Sequence, residues 1–483
     1  MTSNFRPTLL IVGLLLATFG NTMMIPALVD LLSGHSDWRM FAVSGLVTTL
    51  TGTALYLSAR ELPLQLTGRQ AFVMTVCAWV ALSFFGALPF YWTETTPTFT
   101  DAFFESISGI TTTGSTVLTG LDSMPTGILL WRGMLQWMGG LGIVVMAVAV
   151  LPMLQIGGMQ LFKAEAFDTA DKILPRATQI SGSLTAVFAI GTLICALLYL
   201  SAGMDLLDAV VHAMTTVATG GFSTHDASIG HYDGLPVQLI STLFMILGSI
   251  PFILYIQLLR GRPLDFWNDS QVRTFLVLLA CFILIAWMLE LRASPEISGT
   301  GFVQALFNVT SIMTGTGYAT DAYDRWGSAA IAFFFFIMFF GGCAGSTSCG
   351  IKIFRFQVMF LDIAQHLNRI ISPNAVVIKR FNGKPLSNDV STSVMSFFFL
   401  YLLTFAVSSI AMSLTGLDTL TALSGAGSAL ANVGPGLGEL IGPAGTYQSL
   451  PDTAKWILSV TMLIGRLELF TVLILLLPGF WRS

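Results

Sequence analysis

Four times along the chain, an alanine on an apolar run is followed twelve residues later by a glycine: Ala102/Gly114, Ala209/Gly221, Ala305/Gly317 and Ala422/Gly434. The surrounding strings, AFFESISGITTTGST, AVVHAMTTVATGGFST, ALFNVTSIMTGTGYAT and ALSGAGSALANVGPGL, register without a gap. Each run falls short of the ~20 apolar residues that cross a bilayer. Each ends in Thr, Gly and Asn, the pattern of a chain that enters a membrane, turns and leaves. Four such hairpins in one polypeptide predict a ring of four around an axis. A ring of backbone carbonyls is how a protein replaces the water shell of a cation.

The composition sets the class. Of 483 residues, 54% are hydrophobic and 10% charged, with mean hydropathy +0.78, where a soluble domain carries about 25% charged residues. The expected fold class is therefore an all-α polytopic membrane protein. Cys77, Cys195, Cys281, Cys343 and Cys349 lie in or beside apolar segments, which argues against a disulfide framework. The Cys343/Cys349 pair lacks zinc-ligand spacing and a histidine neighbour. The first residues, MTSNFRPTLLIVGLLLATFG, have the look of a signal peptide. Their apolar run continues past any small-residue cleavage site toward Val29, and is read as a retained span.

Apolar length and flanking charges place ten spans near 8–31, 40–59, 70–92, 130–153, 181–202, 236–259, 273–291, 327–357, 393–414 and 454–477. The first two have no repeat partner. The other eight bracket the hairpins, so a unit of span, re-entrant pore loop and span recurs four times about a pseudo-four-fold axis. The chain divides into two additional helices over 1–69 and pore repeats over 70–176, 177–270, 271–384 and 385–483, the third with a broken exit helix. On this plan sixteen of the 22 lysines and arginines fall on one side, against Arg39, Arg132, Arg292, Arg325 and Lys455 on the other. That bias puts both termini in the cytoplasm and the hairpin mouths outside. The acids, among them Asp101, Glu105, Asp122, Asp208 and Asp226, gather at the outer face. There they either concentrate cations or simply avoid the cytoplasmic side.

In each hairpin the apolar half is expected to be a short helix whose negative C-terminal end favours a cation at the membrane centre. The returning strand needs dihedrals and close approaches that suit glycine. Non-helical backbone at this depth is tolerated only where it is buried in protein or lines a water-filled path. The candidate filter strands are Thr111, Thr112, Thr113 and Gly114; Ala218, Thr219, Gly220 and Gly221; Thr314, Gly315, Thr316 and Gly317; and Ala431, Asn432, Val433 and Gly434. The threonine hydroxyls and Asn432 are further oxygen ligands or braces. Glycine also serves as a packing residue between membrane helices, so one TTTGS alone carries little. Four in register between full spans carry the pore reading.

With NVGPG in the fourth hairpin, GGFST in the second, TGTGYATDAY in the third and the two leading spans, the chain resembles the Trk/Ktr/HKT superfamily of potassium transporters, and its TrkH-type branch most closely. The resemblance covers essentially all of the sequence. It implies that Gly114, Gly221, Gly317 and Gly434 mark a filter that binds the potassium ion, the transported substrate. Plant relatives with serine at the first position tend to select sodium, so glycine at all four implies potassium. The resemblance further implies a homodimer with a pore in each protomer, in the cytoplasmic (inner) membrane of a bacterium. It also implies a cytosolic, TrkA-like ring of RCK-type subunits docked at the inner face. The chain has no Walker-type loop and no strand-framed GxGxxG, so no cofactor is expected in it, and any NAD or ATP response belongs to that partner. The basic segments 162–176 and 355–384 are candidates for docking that ring, or for holding anionic lipid of the bilayer. No nucleic-acid partner is expected.

The third exit span runs AAIAFFFFIMFF and then breaks into Gly341, Gly342, Cys343, Ala344, Gly345, Ser346, Thr347, Ser348, Cys349 and Gly350. Such a stretch is either a tightly packed helix with glycines at its contacts or unwound backbone filling the cavity under the filter. In the resembled family it is an intramembrane loop that obstructs the pore. The fourth exit span carries Arg466, a charge that is costly at this depth and normally faces a cavity or a partner. Glu468 lies about 200° around a continuous helix and is no obvious same-face partner. Arg466 is expected to repel cations and to donate its fork to carbonyls of the 341–350 loop, the two together forming a gate. A structural pairing with Glu468 of another repeat or chain is the alternative.

An alternating-access symporter, coupling potassium to protons or sodium, is the competing function. Such transporters show midplane ionisable groups and inverted repeats. Here the repeats share one orientation, and only His212 and Glu105 are placed to carry protons. An enzyme is not expected: His35, His212, His225, His231 and His366 are scattered, and no paired carboxylates stand at ligand spacing.

Overall fold

The computed structural model describes residues 6–60, 67–146, 177–232, 234–293, 299–374 and 378–482. The basic segment 162–176 lies outside them. Among the described residues, seven helices are long and apolar enough to cross a membrane: Arg6–Ser33, Trp38–Ala59, Gly68–Trp92, Thr126–Val145, Ser181–Ser201, Ser270–Ala293 and Asn388–Ser413. Two further segments pass that test only as bent pairs. Leu235–Gly248 turns by 93° into Phe252–Leu259, and Asp452–Arg466 turns by 109° into Phe470–Leu476. Seven helices, or nine counting each pair as one span, thus stand where ten spans were expected. The segment expected over 327–357 is a ten-residue apolar helix, Ser328–Ile337, followed by an irregular stretch and the helix Ile353–Ile371.

Each bend has a local cause. Pro251 disfavours helix at the residue before it, and the Phe252 N–H donates instead to the Gly345 carbonyl at 2.9 Å. At the other bend Glu468 and Leu469 are both left-handed, at φ 62° and 47°, which ends the helix at Arg466. Glu468 is therefore off the helix on which the sequence placed it, and its carboxylate pairs with Arg355.

The two leading helices cross where Gly13 faces Gly52 and Gly20 faces Gly45, with no room for a Cβ at any of the four, the close backbone approach that small residues allow in a membrane. They attach to the first repeat through buried Asp30, which accepts hydrogen bonds from the Gly127 N–H at 2.6 Å and the Thr126 hydroxyl at 3.1 Å. A carboxylate there satisfies open donors at the start of Thr126–Val145.

Four half-length helices, Phe99–Ile110, Leu206–Val217, Gly299–Thr314 and Thr419–Ala431, occupy the places the hairpins predict. The first and fourth open on side-chain caps, Thr98 accepting from the Asp101 N–H and Asp418 from the Thr421 N–H. Their C-terminal ends press on glycines of the long helices. A Cβ at Gly139 would strike the Ile110 carbonyl, and one at Gly465 the Leu430 carbonyl.

Candidate functional site

All four half-length helices end in the same way. The residues two before Gly114, Gly221, Gly317 and Gly434, namely Thr112, Thr219, Gly315 and Asn432, are left-handed, with φ between 48° and 73°. Their N–H groups donate to the carbonyl three residues back, and the next residue donates to the carbonyl five back, as in Thr113 to Ser108 at 2.9 Å and Val433 to Ser428 at 3.0 Å. These paired bonds make a Schellman motif, which normally places glycine or asparagine at its left-handed position. Gly315 and Asn432 satisfy that preference. Thr112 and Thr219, β-branched, adopt the conformation against it.

The chain then turns again at Gly114, Gly221, Gly317 and Gly434, with φ of 88°, 79°, 84° and 110°. Here the four strands meet. A Cβ on Gly114 would stand 2.8 Å or less from the Gly220 carbonyl oxygen, one on Gly221 from that of Thr316, one on Gly317 from that of Val433, and one on Gly434 from that of Thr113. The order runs from the first repeat to the second, third and fourth and back to the first. A closed ring results, with one carbonyl per repeat and each glycine seated on its neighbour.

Side chains brace the ring from outside. Gln136 donates to the Gly220 carbonyl at 2.5 Å and accepts from the Phe222 N–H at 3.0 Å. Asn432 donates to the Thr113 hydroxyl and to the Met462 carbonyl, both at 2.9 Å, so it braces rather than lines. The Ser115 and Tyr447 hydroxyls each reach the Gly434 carbonyl at 2.8 Å. Glu105 is buried and accepts from Arg132 at 2.8 Å, from Thr116 at 3.0 Å and from the Val117 N–H at 3.0 Å. Arg132 carries this tie into the second repeat through the Ser223 carbonyl at 2.6 Å. His212 is buried between the Asp208 carbonyl at 2.8 Å and the Ser223 hydroxyl at 2.9 Å. Asp101 pairs with Lys455 at 2.6 Å, both buried.

On the side where the short helices begin, a cavity of about 310 Å³ opens onto all four glycines of the ring. Of the acids expected at that face, Asp226 alone lines it among the described residues; Asp101, Glu105 and Asp208 are tied to neighbouring groups.

On the opposite side the 341–350 loop lies against the base of every strand. The Thr347 hydroxyl donates to the Val217 carbonyl at 3.0 Å, the Ser348 hydroxyl to the Thr314 carbonyl at 2.7 Å, and the Gly350 N–H to the Ala431 carbonyl at 2.9 Å. Cys349 Sγ stands 3.5 Å from the Thr112 hydroxyl. Three of these contacts take carbonyls that the short helices leave open at their ends. The loop is not helical: across its neck the Gly341 N–H donates to the Ile351 carbonyl and the Ile351 N–H to the Phe339 carbonyl, so that Phe340 and Ile351 form a parallel bridge. Gly342, Cys343, Ala344 and Ser346 are buried in it, with Gly345 partly so.

Arg466 reaches this loop. Its Nη1 donates to the Thr347 carbonyl at 3.3 Å and contacts Cys349 Sγ at 2.7 Å, while Nε and Nη2 have no hydrogen-bond partner. A cavity of about 30 Å³ separates it from buried Lys352, whose ammonium donates to the Ser348 carbonyl. Gln136 escapes the sequence reading because its partners lie in the next repeat; Lys352, Tyr447 and the Glu105–Arg132 pair meet theirs within one repeat, but only through the folding back of irregular segments that carry no periodicity.

Residues 39–480 match the TrkH family, described as a cation transport protein. The chain is 45% identical over 482 residues to the Trk system potassium uptake protein TrkI of Halomonas elongata, covering 99% of this chain and 97% of that one. It is 40% identical over 488 residues to the Trk system potassium uptake protein TrkH of Escherichia coli K12, covering 99% and 100%. Its fold overlays the crystal structure of the potassium transporter TrkH from Vibrio parahaemolyticus with a TM-score of 0.92 at 38% identity, covering 99% and 100%.

Proposed function

The chain belongs to the TrkH family of cation transport proteins, and from that premise we propose that it takes up potassium through a gated, channel-like pore with the four-glycine ring as its filter. The observation that carries this reading is the closure of the ring, each repeat's glycine seated on a carbonyl of the next. An ion entering from the 310 Å³ cavity exchanges water for these oxygens. The cavity faces outside and both termini lie in the cytoplasm, by the bias of basic residues to the other side.

Below the ring the 341–350 loop holds the gate shut. Its hydroxyls and Gly350 N–H occupy carbonyls at the negative ends of the short helices, the groups that would otherwise favour a cation there. Arg466 adds a positive charge at the same level, with two donors unspent. Opening requires the loop to withdraw and release several hydrogen bonds, each worth about 0.5–1.5 kcal/mol net. A cytosolic nucleotide-binding ring of RCK type, docked on the inner face of a homodimer, supplies that work.

Alternating access finds less support. Both residues that suited proton transfer are committed elsewhere, Glu105 to Arg132 and the first hairpin, His212 to a carbonyl and a serine.

Purified protein in planar bilayers should give resolved unitary currents, with potassium preferred over sodium by at least about tenfold, or 1.4 kcal/mol. Smooth, stoichiometric flux without unitary steps counts for the symporter instead.

A further inference from the structure

The ring of glycines has a second circle beside it. The residue after each ring glycine reaches back to the preceding repeat, in the opposite sense to the glycines themselves. Ser115 donates to the Gly434 carbonyl of the fourth repeat at 2.8 Å. The Arg132 guanidinium of the first repeat lies 4.2 Å over the Phe222 ring. Tyr318 hydrogen-bonds Thr215 of the second at 2.5 Å, and Pro435 leaves no room for a Cβ on Gly317 of the third. Each junction between repeats is thereby locked twice.

Tyr318 differs from the other three. Among the described residues it alone of the four sends a side-chain hydrogen bond to a neighbouring half-length helix, Leu206–Val217. The phenol is fully buried, and its oxygen also stands 3.3 Å from the Thr216 hydroxyl and from the His212 carbonyl. Thr216 is held in turn at 2.8 Å by Tyr199, which donates to Ser241 at 2.8 Å. On the other side the Ser311 hydroxyl donates to the Tyr318 carbonyl at 2.7 Å, and the Ser311 carbonyl accepts from the Thr316 N–H at 2.9 Å. Residues 316–318 therefore hang between two half-length helices, their own and the one before. The Thr316 carbonyl in this segment is the ring oxygen on which Gly221 sits. A phenol is a stiff spacer with few torsions, so its hydroxyl bond fixes how far that strand stands from the second repeat.

We propose that Tyr318 is a positioning residue for ion selectivity: its hydroxyl bond to Thr215 fixes the Thr316 carbonyl against the second repeat, so that the ring cannot close on an ion smaller than potassium. An ion whose shed water is not replaced by carbonyls at matching distance is left out. Thr215 also donates to the Val211 carbonyl of its own helix at 3.0 Å, so removing the phenol's hydroxyl strands no group there without a partner. This role rests on the reading of the ring as a potassium filter.

The test measures potassium and sodium flux through the full-length protein in liposomes, with thermal midpoints taken alongside. Tyr318→Phe keeps the ring and should lower the potassium-to-sodium ratio at least about threefold, at an unchanged midpoint. Thr215→Val removes the same bond from its other end and should lower the ratio equally. Thr215→Ser, which keeps the hydroxyl, should hold it. Because both removals act on one bond, the double variant should fall no further than either single. If the unaltered protein is selective and Tyr318→Phe matches it, the phenol's role is overturned and the filter reading stands. Effects that multiply in the double variant, or an equal loss in Thr215→Ser, overturn the bond as the cause. An unaltered protein without selectivity overturns the filter reading itself, and this role with it.

Discussion

At Gly221 a methyl group would need the space held by the Thr316 carbonyl oxygen, and the backbone is left-handed there at φ 79°. Alanine pays about 1–2 kcal/mol for that conformation before the clash is counted. Gly221→Ala should therefore lower the potassium-to-sodium flux ratio by at least about tenfold. Gly191→Ala, with nothing within 4 Å of the new methyl, should leave the ratio unchanged. Gln136→Leu strips the Gly220 carbonyl and the Phe222 N–H of their partner, at about 1–3 kcal/mol for buried groups left unsatisfied. Its expected signature is reduced selectivity in protein that still inserts and folds. Arg466→Ala should raise flux, and Arg466→Lys, which keeps the charge but loses the fork, should raise it less; unchanged flux in both counts against a gating arginine. The four glycines of the ring are legible in the sequence because sterics demand that one residue type at fixed spacing. Thr112 and Thr219 are not, since nothing local predicts a left-handed β-branched residue; the convergence of four helix ends imposes it.

At the scale of elements, the hairpins are legible because each repeats the others, and the broken third exit segment because glycine and serine replace its apolar run. The two sharp bends differ. Pro251 gives a local sign of the first. The second falls at Arg466 and Glu468, between two apolar runs, where Glu468 leaves the helix to meet Arg355, whose side chain is 1% exposed and also packs over the Phe397 ring at 3.7 Å. No periodicity encodes a partner more than a hundred residues away. Glu468→Ala should lower the thermal midpoint markedly, since breaking a buried pair from one side costs about 3–5 kcal/mol. An unaltered melting curve would show that the bend stands without it.

Over the whole molecule the four repeats share a plan, yet where the exit segments of the second and fourth bend sharply, that of the third opens into the 341–350 loop, which touches the base of all four strands. One quarter of the protein thereby contacts the strands of every quarter. Thr347→Val keeps the side-chain volume but removes hydrogen bonds to the Val217 and Gly248 carbonyls. The two carbonyls share one hydroxyl proton, and at about 0.5–1.5 kcal/mol for that bond its loss should raise resting flux several-fold, measured as rubidium uptake into liposomes without any partner. The ring itself has a different arithmetic. In an assembly of four identical chains a single codon change is stamped on every quadrant at once. Because each seat here is encoded separately and rests on a different neighbour, mutation can retune one side of the aperture and leave three intact. Selectivity in such a molecule can drift in quarter steps.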